Sequence, residues 1–106
     1  MNTAPDAEAP EYLDMADMLS AGVTARQLDH WARRGYLRAT EAAPGYGHPR
    51  KWPHVEYDVA RLMVRLIDAG LTVDVAATTA RVAIEHRLEE VVLADGIKIT
   101  VHEVSP

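Results

Sequence analysis

The segment VTARQLDHWARRGYLRA, residues 23–39, decides how this chain is read. Thr24 is placed to cap a helix that begins at Ala25, because its hydroxyl can accept a hydrogen bond from an amide one turn further in. Gly35 follows Arg33 and Arg34 and supplies the left-handed stop that commonly ends a helix behind terminal bases. At about 100° per residue, Ala25, Leu28, Trp31 and Ala32 fall on one stripe facing a core. Arg26, Gln27, His30, Arg33 and Arg34 fall on the other side, a strip of hydrogen-bond donors with Asp29 at its flank. The helix therefore has one face for packing and one that is either a recognition surface or an ordinary solvated face.

Working outward, Leu13, Ala16, Met18 and Leu19 approximate one face of a short helix from Glu11 that stops at Ala21-Gly22. Few residues join it to the next helix, as in a helix-turn-helix. Residues 1–10 hold two prolines, three alanines and two acids without periodicity and read as a disordered acidic arm. Downstream, Tyr36 to Ala39 reads as a short strand. EAAPGYGHPRKW, residues 41–52, then gives a Gly/Pro-rich loop closed by a second strand near Arg50 to Trp52, the outline of a wing. A helix follows from Pro53 to Gly70 on Val55, Val59, Leu62, Met63 and Leu66. Thr72 caps another, expected over 73–90. The period then switches to two in VVLA, Asp95-Gly96, IKITVHE, a hairpin in which both turn residues can take positive φ and Val92, Ala94, Ile97, Ile99 and Val101 share a face. The expected divisions are an arm at 1–10, a helix-turn-helix domain at 11–90, and a hairpin at 91–106 that packs on the helices or associates with a second copy.

The 106 residues are 48% hydrophobic and 25% charged, the balance of one modest globular core. With no cysteine, disulfides, thiolate metal sites and sulfur nucleophiles are excluded. The formal charge is -5, yet it is unevenly spread. Residues 1–19 carry five acids and no base, whereas residues 20–52 carry six bases against two acids, and 53–106 five against nine. Charges beyond about 10 Å are largely screened at 0.1 M salt, so the basic middle can approach phosphate on an acidic molecule. No apolar run spans a bilayer, and the N-terminus lacks a basic start and apolar stretch, so a cytoplasmic location without membrane contact is expected.

The order helix, turn, helix, two-stranded wing, helix, helix is similar to the DNA-binding domain of the MerR family. Residues 23–39, GYGHPRKW at 45–52 and DAGLT at 68–72 carry the resemblance, which covers roughly residues 12–84. It implies a mostly α winged helix-turn-helix fold, here followed by a C-terminal β-hairpin, that binds double-stranded DNA. By position, Thr24, Arg26 and Gln27 open a recognition helix in the major groove, with His30 at its base or phosphate edge. Arg50 is the wing arginine on the DNA backbone, and Trp52 stands where the family usually has tyrosine. Arginine can fork to guanine and glutamine to adenine, while Arg33, Arg34, Arg38 and Lys51 belong with phosphate positioning; His48 and His54, flanking the wing, either contact phosphate or fill the loop. Asp29 stands where relatives often have arginine and is expected to orient a neighbouring arginine instead. Family regulators usually end in a long dimerising helix and an effector domain; the one moderate helix and hairpin here are closer to compact phage or excisionase-like members. A homodimer or cooperative homo-oligomer is implied, with no effector evident and no cofactor.

Other chemistry has little support. His30, His48, His54, His86 and His102 are scattered, and Glu85, His86, Glu89 and Glu90 read as a solvated helical face rather than a metal site. No phosphate loop, Ser-His-Asp set or catalytic carboxylate pair has a supporting context, so no enzyme is expected. Trp31 belongs to the core and the strand turns Trp52 inward, with the wing tip as the alternative; Tyr46 shapes the loop or touches backbone. The competing function is a protein-interaction module, such as an antitoxin, antirepressor or phage accessory factor, that keeps the fold without DNA. Exposure of Arg26, His30, Arg33, Arg34, Arg50 and Lys51 on one surface discriminates the two.

Overall fold

A computed structural model describes residues 12–40 and 50–102 of the chain. The arm at 1–10 and the wing loop with Tyr46 and His48 lie outside the described residues. The elements run β1 (Tyr12–Leu13), α1 (Met15–Leu19), α2 (Ala25–Arg33), β2 (Trp52–Pro53), α3 (His54–Asp68), α4 (Val73–Glu85), β3 (Glu90–Ala94) and β4 (Ile97–Thr100). The result is a mostly helical winged helix-turn-helix arrangement.

Local chemistry sets the helix boundaries. Asp14 and Asp17 form a reciprocal capping box that starts α1 only at Met15. Leu13, expected on the helical face, instead lies in β1 and pairs with Trp52, while Tyr12 pairs with Pro53. Both α2 and α3 end in paired backbone bonds around a left-handed glycine. At α2, Gly35 (φ 82) donates to Ala32 O and Tyr36 to Trp31 O; at α3, Gly70 (φ 111) donates to Ile67 O and Leu71 to Leu66 O.

The end of α4 differs from expectation: it stops at Glu85, five residues before Glu90. Leu88 donates to Ala83 O and Arg87 to Ile84 O, the same motif, but Arg87 rather than glycine takes the left-handed position at φ 53. The sequence offered no glycine to announce this stop.

The expected strand at 36–39 does not form, for a reason visible in its amides. Tyr36 and Leu37 donate back to Trp31 O, and Arg38 donates to the Glu56 carboxylate. Thr40 is the first residue whose N–H reaches across, to Lys51 O at 2.7 Å, making an isolated bridge at the wing base. Beyond it, β2 pairs with β1 rather than with the wing's other arm.

The core joins Met18, Val23, Leu28, Trp31, Leu37, Trp52, Val59, Met63 and Leu66 to Ala76, Ala77 and Ala80 of α4. Trp31 and Trp52 are both core residues, 3% and 1% exposed. Through this core runs a buried ion pair. Arg81 of α4 reaches Glu56 of α3 with Nη1 to Oε2 at 2.6 Å and Nη2 to Oε1 at 2.8 Å, the side chains being 11% and 3% exposed. Arg81 Nη2 also donates to Tyr36 O at 2.8 Å, and Nη1 to Glu85 at 3.2 Å. Its hydrogen bonds to Glu56 push the Arg81 pKa above its usual value.

The hairpin departs from its expected register. Ala94 pairs with Ile97, but Val92 pairs with Lys98 and Val91 with Ile99, so Leu93 is an extra residue on β3. Of the two turn residues only Gly96 takes positive φ, at 82°. The bulge changes the phase of β3: Val91, Leu93, Ile99 and Val101 are half-buried, whereas Val92 and Ile97 are 71% and 56% exposed. The inner face packs beside α4, with Ile99 against the core.

Two outcomes follow from this packing. Glu56→Gln, which removes the buried counter-charge and leaves the guanidinium with the more exposed Glu85, is expected to cost about 3 kcal/mol, read as a lower urea midpoint at unchanged m-value. Ile99→Lys is expected to lose about 2 kcal/mol and Val92→Lys less than about 0.5 kcal/mol; equal losses in thermal unfolding would contradict the assigned faces.

Candidate nucleic-acid interface

Helix α2 is held at its N-terminus by Thr24, whose Oγ1 accepts from Gln27 N at 3.0 Å, while Gln27 Oε1 accepts from Thr24 N at 3.0 Å. This capping box has a functional side. The Gln27 carbonyl oxygen already faces the helix end, so a two-point contact with an adenine edge has to share or release that bond.

The outer face of α2 presents Arg26, His30 and Arg33, all exposed and spaced four and three residues apart. The wing base brings Arg50 to the same face. Asp29 joins them: its Oδ2 accepts from Arg33 Nε at 3.0 Å, with Arg33 Nη2 at the same ion-pair distance, and its Oδ1 accepts from Arg50 Nη1 at 3.0 Å. The Arg50 hydrogen bond, aided by Arg33, holds the Asp29 carboxyl below the 3.8 of a free aspartate. The pairs are not buried. Arg33, Arg50 and Asp29 side chains remain 65%, 45% and 49% exposed.

The remaining cations spread from this centre. Arg34 caps the end of α2, with Nη2 donating to the Tyr36 hydroxyl at 3.3 Å and its guanidinium 5.6 Å from the ring centroid. That hydroxyl in turn donates to Asp74 in the first turn of α4. The Tyr36 bond raises the Arg34 pKa. Arg38 and Lys51 are exposed; the Arg38 guanidinium stands 3.7 Å from Glu85. His48 lies outside the described residues.

The structure therefore brings Arg26, His30, Arg33 and Arg50 together on one side and places Arg34 and Arg38 toward α4. The Asp29-Arg33 pair is legible as a four-residue spacing on a helix. Its second link, to a residue 21 positions away, was not legible from spacing.

The four residues weighed for a metal do not share a helix, since Glu85 ends α4, His86 is its C-cap and Glu90 begins β3. Among the described residues no group of three or more His, Cys, Asp or Glu could hold a metal ion, and no helix is long and apolar enough to cross a membrane.

A capped helix with a polyvalent basic face, preceded by a short helix across a glycine turn and flanked by a wing base, defines a winged helix-turn-helix protein. The chain belongs to the MerR HTH family of regulatory proteins, whose domain it matches over residues 19–81. It is 31% identical over 87 residues to HTH-type transcriptional regulators of Mycobacterium bovis and Mycobacterium tuberculosis, both described as uncharacterized. That match covers 77% of this chain, and the chain spans about 37% of the length of those relatives.

The lowered Asp29 pKa means that its ion pairs hold above the ordinary aspartate range and are lost as pH falls through the folded value. A side-chain carboxyl NMR titration is expected to place the Asp29 midpoint below 3.8, and Arg50→Ala is expected to move it up.

Proposed function

We propose that this chain binds duplex DNA sequence-specifically as a transcriptional regulator, with an excisionase-like architectural role as the finer alternative. The observation that supports it most is the exposure of Arg26, His30, Arg33, Arg50 and Lys51, which leaves guanidinium donors facing solvent instead of consumed in buried pairs. In this reading α2 enters the major groove. Arg26, at the second position of the helix, reads a base edge, with Thr24, Gln27 and His30 beside it. Arg33, Arg34, Arg38, Arg50, Lys51 and His48 position the module on phosphates.

One such module buries only about 600–1,000 Å² of protein surface. Two or more copies on adjacent half-sites supply the rest, which favours a homodimer or cooperative assembly. The family membership and the regulator names of the relatives support the same reading, which implies a cytoplasmic setting where DNA is accessible.

The test is selection of a binding site from random duplex followed by gel shifts across salt concentrations. Arg26→Ala is expected to cost about 1–3 kcal/mol and relax preference at one base pair. Arg50→Ala is expected to weaken all sequences and flatten the dependence of log K on log salt by about one. Equal loss on selected and scrambled duplex in both variants would contradict this division. Absence of any duplex binding at low salt would leave the protein-interaction role as the better description.

A further inference from the structure

Resting on the DNA-binding reading, we infer that Asp29 is a positioning residue that sets sequence discrimination, by clasping Arg33 of α2 and Arg50 of the wing base into one two-pronged phosphate contact. Each oxygen of its carboxylate serves a different element, at 3.0 Å in every bond. An Asp-Arg pair at four-residue spacing is common on any solvated helix and would mean little alone. The tie across 21 residues is of another kind, because it links the wing base to the helix that reads bases.

The stoichiometry of donors leaves the clasp able to bind. Arginine offers five N–H groups. Arg33 spends its Nε hydrogen and Arg50 one hydrogen of Nη1, so most of each fork stays available. With side chains 65% and 45% exposed, those donors open to solvent on the face that carries Arg26 and His30. Holding both guanidiniums in place before contact removes part of the ordering cost that flexible arginines incur on binding.

The same carboxylate also lowers the charge of the surface. Two arginines with one aspartate attract an arbitrary phosphate backbone less than two arginines alone, and that sequence-independent attraction sustains non-specific binding. Asp29 thus weakens indiscriminate contact while preserving the aligned one. The two effects act in the same direction on the ratio of specific to non-specific affinity.

The full chain is to be compared as wild type, Asp29→Asn and Asp29→Glu, using a duplex enriched from a random pool by the wild type and a scrambled duplex of equal length. With Asp29→Asn, affinity for scrambled duplex is expected to rise about threefold to tenfold at low salt and the salt dependence to steepen by about one. The enriched-to-scrambled ratio is expected to fall about tenfold with an unchanged thermal midpoint, and Asp29→Glu to recover most of it. In an Arg50→Ala background the Asp29→Asn effect on the ratio is expected to shrink, since half the clasp is already open. If the wild type discriminates and Asp29→Asn keeps both ratio and slope, or weakens both duplexes equally, the clasp is overturned while DNA binding stands. If the wild type retains no duplex at low salt, both readings fall.

Discussion

The fold is organised around the buried Glu56-Arg81 pair, because three separate parts of the chain meet on it. Glu56 belongs to α3 and Arg81 to α4, while the segment leaving α2 contributes Arg38 N–H to the carboxylate and Tyr36 O to the guanidinium. Taking two charges out of water is costly and is offset only when the geometry is good and the remaining lone pairs and protons are satisfied. Here Oε1 accepts two hydrogen bonds and Oε2 one, so the network is well occupied. It also does what a sheet would otherwise do. The segment after α2 is fixed by a carboxylate instead of a neighbouring strand, which sets the direction in which the chain departs toward the wing.

A second network sits on the surface and has the opposite character. Asp29, Arg33 and Arg50 are each about half exposed, so their mutual attraction contributes little to stability. Its effect is on placement and on local potential. The acids of this chain thus differ in what they do. Glu56 holds elements together, Asp14 and Asp17 start a helix, Asp74 receives Tyr36, and Asp29 moderates a basic face. A net charge of -5 is therefore compatible with a cationic surface. Much of the acidity elsewhere is engaged in capping and pairing.

Several features were legible in the sequence because they are encoded by neighbours a few residues apart. Thr24, Gly35 behind Arg34, Gly70 and Thr72 mark α2, the end of α3 and the start of α4 through local hydrogen-bond chemistry. The stripe of Leu28 and Trp31 is likewise a matter of helical period. What escaped depended on partners far along the chain. Leu13 pairs with a residue 39 positions on, and Arg81 satisfies a glutamate 25 positions back. The hairpin phase escaped for a subtler reason. Alternation predicts faces only while the ladder is regular, and one inserted residue at Leu93 exchanged inside for outside along β3.

Gly22, in the turn between α1 and α2, has φ 106, and a side chain begun there would stand 3.6 Å from a methyl of Val64 on α3. The angle between the two short helices is thus written into a main-chain conformation that L side chains rarely adopt, independent of any group on the outward face of α2. Mutational drift can then exchange the outward residues one at a time while the scaffold that aims them stays unchanged. Such a division between a frozen hinge and a free surface lets descendants of one ancestor diverge in what they recognise without first relearning how to fold.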